Sequence, residues 1–293
     1  MRGRSQRFVR RLSRILRRAL RHPRYALAVV LGLVSRPRLV WNAVRGGWRQ
    51  ALWLECARQH PGAAELVSRY EAGFYGQVCL FDEYEVGRLG LPAEPVVLDV
   101  GANVGFFTWR VQRLRPRARV LAFEPQSDNF RRLERLLELG GRRAEAIRAA
   151  VGASAGSATL YLRNSVTHSL DRDWHQDLDS GAGSEQVPVT TLDAECDRRG
   201  IPTVDLLKID TEGAELEVLR GARDTLSRAR AVVLEYHSDT LGDACQELLE
   251  AQGFHCRRKS FWGLDLEGAP EGLLLCTRGA PASRAQPAAA TSA

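Results

Sequence analysis

From residue 96 onward, short apolar runs alternate with stretches whose apolar residues recur at helical spacing. The runs typical of strands cover residues 96–100, 120–123, 146–151, 204–209 and 231–235, with weaker runs at 255–260 and 272–277. The stretches with helical spacing cover residues 106–114, 127–139, 214–227 and 239–252. This alternation predicts an α/β fold, with a mostly parallel seven-stranded sheet and helices on both faces.

Outside this alternation, the sequence predicts two further strands and two segments without regular structure. Residues 158–162 and 186–192 have the character of added antiparallel strands, joined by the polar segment 163–185. The C-terminal residues 279–293 are rich in Ala, Ser and Pro without a periodic apolar face, so we expect them to be disordered.

The N-terminal residues 1–74 form a predicted helical arm that is rich in arginine. Within residues 5–21, apolar side chains such as Phe8, Leu12 and Ile15 follow helical spacing while arginines occupy the other faces. Such a helix could lie on an anionic membrane or pack against the rest of the protein, and the sequence leaves both open. No apolar run is long enough to span a bilayer. We therefore expect a cytoplasmic protein, with peripheral contact at the inner face of the membrane through residues 1–54.

The net charge of +7 conceals a strong asymmetry. Residues 1–54 contain 14 of the 42 basic residues and no acidic residue, so the remaining 28 basic residues are outnumbered by all 35 acidic ones. A nucleic-acid-binding domain carries positive charge on its folded surface, which this body lacks. Nucleic acid is therefore not an expected partner, although the sequence leaves open an enzyme that binds RNA through the arm.

The six cysteines show no spacing typical of a zinc site. A chain of this length does not need disulfides to stabilise its core, so we expect mostly buried free thiols in a reducing compartment.

The most specific local pattern is a buried strand followed by a glycine-bearing turn, DVGANVG at residues 99–105. Gly101 permits a sharp turn, and Gly105 is expected to leave the start of the next helix open to a ligand. Glu124 ends the second strand, where a carboxylate can accept both hydroxyls of a ribose. Together these residues predict a cofactor that carries a nucleoside.

The same segment argues against a dinucleotide. The GxGxxG pattern is incomplete, because Asn103 stands in the place of its middle glycine and its last glycine is also missing, and these glycines allow close approach of a pyrophosphate. A cofactor without phosphates needs no such approach, and a cationic one is favoured by Asp99 and Glu124. S-adenosylmethionine meets both conditions.

Several polar residues are predicted at the carboxyl ends of the fourth and fifth strands, the edge where open α/β sheets bind ligands. Lys208 lies on an otherwise apolar strand and needs a partner among Asp210, Glu212 and Glu235. Glu215, in the first turn of the next helix, is expected to act mainly as a helix cap.

Methyl transfer to a hydroxyl is assisted by a general base. Asp210 and His237 are the leading candidates, and His168 in the polar segment is a third. Asp210, Glu212 and Glu235 could instead gather around a magnesium ion. The sequence shows no convergent ligand geometry, so no metal site is predicted.

The motifs that carry a family resemblance occur in a fixed order along residues 75–278. They are DVGANVG at 99–105, FEP at 123–125, AVG at 150–152, TLD at 191–193 and VDLLKIDTEGAE at 204–215. In this order they resemble the FkbM-type methyltransferases. One departure is that the helix after the second strand ends without the asparagine that is common in the family.

This resemblance implies a class I, Rossmann-like methyltransferase fold and S-adenosylmethionine as cofactor. It also implies O-methylation of a hydroxyl on a sugar, glycolipid or secondary metabolite. The implied cofactor contacts are Asp99, Gly101, Asn103, Gly105, Glu124, Pro125 and Ala150. The catalytic residues predicted from their position at the strand ends are Lys208, Asp210, Glu212 and His237.

Two other functions compete with this interpretation. A dehydrogenase that uses NAD would need the dinucleotide turn that the sequence lacks. A non-catalytic protein, associated with a membrane or nucleic acid through its arm, would leave the acidic and glycine residues of the site without a role. The sequence makes no prediction about oligomeric state.

Overall fold

The computed structural model describes residues 48–59, 62, 72–139, 144–162, 168–170, 183–259 and 271–279. The predicted helix at 5–21, most of the polar segment 163–185 and the tail after residue 279 lie outside the described residues. Among the described helices, none combines the length and apolarity needed to cross a bilayer.

A seven-stranded sheet forms the centre of the fold, as the alternating pattern predicts. Its strands, in chain order, are β1 (Val96–Val100), β2 (Arg119–Phe123), β3 (Ala144–Ile147), β7 (Leu206–Ile209), β8 (Ala231–Tyr236), β9 (His255–Lys259) and β10 (Gly272–Thr277). The order across the sheet is β3-β2-β1-β7-β8-β10-β9. Of these seven strands, β10 runs in the direction opposite to the other six. The strand order reverses between β1 and β7, which opens a crevice at their carboxyl ends.

Two apolar layers cover the two faces of this sheet, because alternate residues of each central strand point in opposite directions. One face packs against α5 (Leu192–Arg198), α6 (Glu215–Arg220), α7 (Arg223–Ser227) and α8 (Asp239–Ala251). The other packs against α3 (Phe106–Leu114) and the segment before β1, which contains α2 (Ala72–Tyr75) and a π-helical turn at Gly76–Leu80. Helix α4 (Ser127–Leu139) covers β2 and β3, and α1 (Trp48–Gln59) contacts α2. The class I arrangement with helices on both faces is therefore confirmed.

The apolar run predicted as one strand at 146–151 is divided between two sheets. Residues 144–147 form β3, whereas β4 (Ala150–Val151) pairs with β6 (Ser184–Thr190) in a separate three-stranded sheet that also contains β5 (Gly156–Tyr161). The antiparallel pairing of β5 and β6 agrees with the prediction for residues 158–162 and 186–192.

Two helical predictions differ from the structure. The stretch 214–227 contains two helices, because Asp193 accepts hydrogen bonds from the backbone N–H and the side-chain hydroxyl of Thr225 and so begins α7 separately. Helix α5 was not predicted. It begins after Thr191, whose side chain accepts a hydrogen bond from the backbone N–H of Ala194.

The expectation about cysteines is only partly correct. Cys56, Cys79, Cys196 and Cys245 are buried free thiols, but Cys256 and Cys276 form a disulfide. These two residues stand directly opposite each other on the antiparallel strands β9 and β10, with Cα atoms 4.1 Å apart. Sequence spacing could not show this pairing because it depends on strand register.

The loops that follow β1 and β7 pass very close to each other at the crevice. Gly101 adopts a φ of +75°, a backbone conformation that is unfavourable for residues other than glycine. A Cβ atom added at Gly101 would overlap the backbone carbonyl oxygen of Asp210. Gly101 is therefore required both by its own backbone and by its neighbour.

We expect Gly101→Ala to lower the free energy of unfolding by at least about 3 kcal/mol, because the overlap involves backbone on both sides. Gly156→Ala is the matched control, since nothing lies within 4 Å of a Cβ atom added there. Urea unfolding of both variants checks this expectation. Equal stability of the two variants would contradict the close approach of the loops.

Candidate functional site

Two cavities lie at the carboxyl ends of the central strands, one on each side of the loop after β1. The first contains about 640 Å³ of space that includes open solvent, and the second about 550 Å³. Among the described residues, both cavities are lined by Gly101, Asn103, Asp210 and Glu212. These four residues therefore form the boundary across which two bound molecules could meet.

The first cavity contains most of the residues predicted to contact a cofactor. Glu124, Pro125 and Ala150 line it together with Gly101 and Asn103. The structure thus brings five of the seven predicted cofactor contacts to one cavity.

The carboxylate of Glu124 is held by backbone groups on both sides. It accepts hydrogen bonds of 2.9 Å from the N–H groups of Asn103 and Gln126. Burial raises the pKa of Glu124 to about 7, although these hydrogen bonds oppose the shift. Glu124 therefore titrates near neutral pH.

Asp99 and Gly105, two of the predicted cofactor contacts, line neither cavity. Asp99 is fully buried and accepts a 2.6 Å hydrogen bond from the hydroxyl of Thr108 on α3. Gly105 has a φ of +95°, and a Cβ atom there would meet the side chain of Leu133 at 2.7 Å. Helix packing therefore requires a glycine at position 105.

Lys208 connects the loop after β1 to the end of β7. Its ammonium donates a 2.8 Å hydrogen bond to the carbonyl oxygen of Gly101 and lies 3.4 Å from both Asp99 and Asp210. Burial lowers the pKa of Lys208, but the nearby carboxylates, Asp210 foremost, outweigh burial and raise it above its usual value. The predicted partner Asp210 is present, and Asp99 is a second partner that the sequence did not indicate.

His237 stands at the centre of the acidic residues. Its Nε2 atom lies 3.9 Å from Asp210 Oδ1, 3.5 Å from Glu212 Oε2 and 3.7 Å from Glu235 Oε1. The ring is buried, whereas these carboxylates are partly exposed to the cavities. The residues predicted at the carboxyl ends of β7 and β8 therefore converge on one point. We call Asp210, Glu212, Glu235 and His237 the acidic rim.

The other ring nitrogen of His237 is held by Glu215, which is fully buried. Nδ1 lies 3.2 Å from Glu215 Oε1. The same oxygen accepts hydrogen bonds from the backbone N–H groups of Thr211 and Gly213. Glu215 therefore organises the loop after β7 and orients the imidazole, a larger role than the helix cap that was expected.

The protonation of His237 argues against its role as a general base at neutral pH. Burial lowers the pKa of His237, but the hydrogen bond with Glu215 and the surrounding carboxylates outweigh burial and raise it well above its usual value. An imidazolium ring, which carries a proton on each nitrogen, has no lone pair left to accept another.

Tyr84 is a residue of the site that the sequence analysis missed. Its hydroxyl donates a 2.8 Å hydrogen bond to Glu235 Oε2 and lies 3.3 Å from Asp210 Oδ2. Burial raises the pKa of Glu235 to about 8, and the charge of Asp210 adds to this shift. Tyr84 precedes β1 in a segment without apolar periodicity, so no sequence pattern places it beside β8.

The second cavity has an aromatic lining in addition to this polar rim. Phe74, Phe106, Phe107 and Tyr84 line it, and Lys208 and Glu235 lie at its inner end. Its position beside Asp210 makes it suited to a molecule with an apolar face and a polar group that points toward the rim.

His168, the third candidate for a base, lines the first cavity and not the second. Burial lowers its pKa below the usual value. The neighbouring Ser169 donates a 2.7 Å hydrogen bond to the carbonyl oxygen of Glu212, which joins the segment 168–170 to the loop after β7.

Comparison with known proteins identifies the family of this site. Residues 99–256 match the model of the methyltransferase FkbM domain. The matched range includes the glycine-bearing turn at residues 99–105, Glu124, and Asp210, Glu212, Glu235 and His237, but not Tyr84.

Individual relatives cover much of the same range. Methyltransferase sdnD from Sordaria araneosa is 29% identical over 231 residues, which are 68% of this chain and 88% of the relative. The 2-O-methyltransferase NoeI from Sinorhizobium fredii is 31% identical over 54% of this chain and 67% of its own length. The 31-O-demethyl-FK506 methyltransferase FkbM from Streptomyces tacrolimicus is 31% identical over 57% of this chain and 76% of its own length.

Neither an oxidoreductase nor a non-catalytic scaffold is favoured by these matches, which agree with the class I strand order and with the cavity beside Glu124. The chain belongs to the FkbM family and is an S-adenosylmethionine-dependent methyltransferase.

Proposed function

We propose that this enzyme transfers a methyl group to a hydroxyl oxygen of a sugar, glycolipid or secondary metabolite that binds in the second cavity. The observation that carries this proposal is the position of Asp210, which lines both cavities. Two relatives whose names specify an O-methyltransferase reaction support the choice of oxygen.

The residues of the first cavity fit S-adenosylmethionine. Glu124 offers a carboxylate to the ribose hydroxyls, while Asp210 and Glu212 place negative charge where a sulfonium would lie. The cofactor supplies an electrophilic methyl group when bound. Asn103 has a left-handed φ of +51° and donates its backbone N–H to Glu124, so the turn and the carboxylate are positioned together.

The acceptor is held by the opposite side of the rim. Phe106 and Phe107 offer apolar surface to a ring, and the carboxylates can accept hydrogen bonds from its hydroxyls. Alignment of the acceptor oxygen with the methyl carbon supplies a large part of the rate in such a displacement.

Asp210 acts as the general base in this proposal. A bond forms between the acceptor oxygen and the methyl carbon, the carbon–sulfur bond breaks with its electron pair going to sulfur, and the hydroxyl proton passes to the Asp210 carboxylate. Lys208 and Tyr84 fix that carboxylate by their contacts with Oδ2. His237 orients the rim and does not remove the proton.

Peripheral membrane contact through residues 1–54 remains part of the proposal for a lipid-linked acceptor. The described residues begin at Trp48, so the support for this contact comes from the arginine-rich composition of the segment. Co-sedimentation with anionic vesicles tests it, and equal pelleting of the full chain and a chain lacking residues 1–54 would contradict it.

We expect Glu124→Gln to weaken binding of S-adenosylhomocysteine by about tenfold to a hundredfold, because hydrogen bonds to a charged acceptor contribute about 1.5–3 kcal/mol. The control is Glu217→Gln, which removes an exposed carboxylate paired with Arg220. Isothermal titration calorimetry measures both affinities. Equal affinities of the two variants would contradict the role of Glu124.

The raised pKa of Glu124 predicts the pH dependence of the same binding. When the pH falls below the Glu124 pKa of about 7, the carboxyl group is protonated and accepts fewer hydrogen bonds. The affinity for S-adenosylhomocysteine should therefore fall as the pH is lowered. Between pH 8.5 and 5.5 we expect a decrease of roughly tenfold in the unsubstituted protein and a flat profile in Glu124→Gln. A slope that persists in the variant would assign the titration to another group.

We expect Asp210→Asn to lower the turnover number by about 10²–10⁴, the range of general-base contributions, with affinity for S-adenosylhomocysteine nearly unchanged. Transfer of a tritiated methyl group to polar and lipid extract fractions provides the assay. Glu217→Gln again serves as the control. Label released as methanol by mild base would indicate an ester and would contradict methylation of a hydroxyl.

A further inference from the structure

The atoms that converge on the rim are spaced as ligands of one ion. Asp210, Glu212 and His237 each offer an atom within 4.8 Å of the others. The distances of 3.5–3.9 Å from His237 Nε2 to the surrounding carboxylate oxygens exceed those of good hydrogen bonds. Two ligands about 2.1 Å from a shared ion are separated by roughly 3.0 Å at right angles, 3.4 Å in a tetrahedron and 4.2 Å when opposite.

His237 and Asp210 each contact other residues through their second nitrogen or oxygen atom. His237 Nδ1 contacts the buried carboxylate of Glu215, so a neutral ring has its proton on Nδ1 and its lone pair on Nε2. Asp210 Oδ2 contacts Lys208 and Tyr84, which leaves Oδ1 directed at the histidine. A histidine that donates from its other nitrogen to a carboxylate is the common arrangement at metal sites.

Glu235 extends the same pattern. Its Oε2 accepts the hydrogen bond from Tyr84, and its Oε1 lies 3.7 Å from His237 Nε2. Four carboxyl groups, those of Asp210, Glu212, Glu215 and Glu235, thus surround one imidazole, and Lys208 provides positive charge on one side only. Such a concentration of negative charge in a half-buried place favours a bound cation.

We propose that Asp210 Oδ1, Glu212 Oε2 and His237 Nε2 bind a divalent transition-metal ion, with Glu235 Oε1 as a further ligand. Mixed imidazole and carboxylate ligands suit Mn²⁺ better than Ca²⁺, which prefers oxygen ligands alone. The ion would lie at the inner end of the second cavity, where its charge favours loss of the proton from an acceptor hydroxyl. Only this last role rests on the proposed function, whereas binding of the ion does not.

The experiment titrates Mn²⁺ into the full chain after chelator treatment, with electron paramagnetic resonance as the readout. We expect one Mn²⁺ per chain and a ¹⁴N coupling from a directly bound imidazole. Glu212→Gln should weaken binding by at least about tenfold, and His237→Gln should abolish the ¹⁴N coupling. Glu217→Gln, an exposed carboxylate on α6, should leave both unchanged.

Glu212→Gln keeps the test valid if His237→Gln fails to fold, because Glu212 lies in a loop and is partly exposed. In the competing arrangement no ion binds, and Lys208 and a protonated His237 balance the charge of the carboxylates. The absence of Mn²⁺ binding, or binding unaffected by Glu212→Gln, would overturn the proposal.

Calorimetry with S-adenosylhomocysteine on the same samples separates this inference from the proposed function. Cofactor binding without Mn²⁺ binding would overturn the metal site and leave the methyltransferase site intact. Mn²⁺ binding without transfer to any hydroxyl would support the metal site and contradict the proposed acceptor chemistry.

Discussion

A buried ammonium group holds the two halves of the site together. Lys208 has only 3% of its side chain exposed, so its charge is unfavourable unless oxygen atoms replace the lost water. Those oxygens come from the end of β1 and from Asp210, which are distant in sequence but adjacent in the sheet. The position of the glycine turn relative to the acidic loop therefore depends on the charge of one side chain.

The carboxyl groups around this ammonium differ in environment and therefore in chemistry. Burial and the charge of Asp210 raise the pKa of Glu235, whereas Glu215 accepts hydrogen bonds from the backbone N–H groups of Thr211 and Gly213. His237 lies between the carboxyl groups of Glu235 and Glu215, and each of them raises the pKa of its imidazole. Similar residues thus support the loop, orient the imidazole or face the cavity according to the hydrogen bonds that each receives.

The sequence predicted the central sheet well because its inner strands are buried on both faces and read as continuous apolar runs. It also placed Asp210, Glu212 and His237 on one edge, since parallel strands end at the same side. It failed where contact depends on register or on irregular chain. The disulfide between Cys256 and Cys276 depends on strand pairing, and Tyr84 reaches the rim from a segment without a periodic pattern.

Gly105 and Asp99 show a different limit of sequence reasoning. A motif indicates which residue types are needed, but the reason can be internal packing instead of ligand contact. Gly105 accommodates Leu133, and Asp99 anchors Thr108 and Lys208 behind the cavities. Both act on the site through the positions of their neighbours.

The two cavities share one wall but differ in the part of the chain that completes them. The first is formed by residues within the range 99–256 that matches the family, whereas Phe74, Val78 and Tyr84 of the second precede that range. In the proposed function, the donor side of the site therefore lies within the family domain, whereas part of the acceptor side comes from the chain before it. A change in that short stretch would then alter the choice of acceptor without disturbing the sheet that supports the transfer.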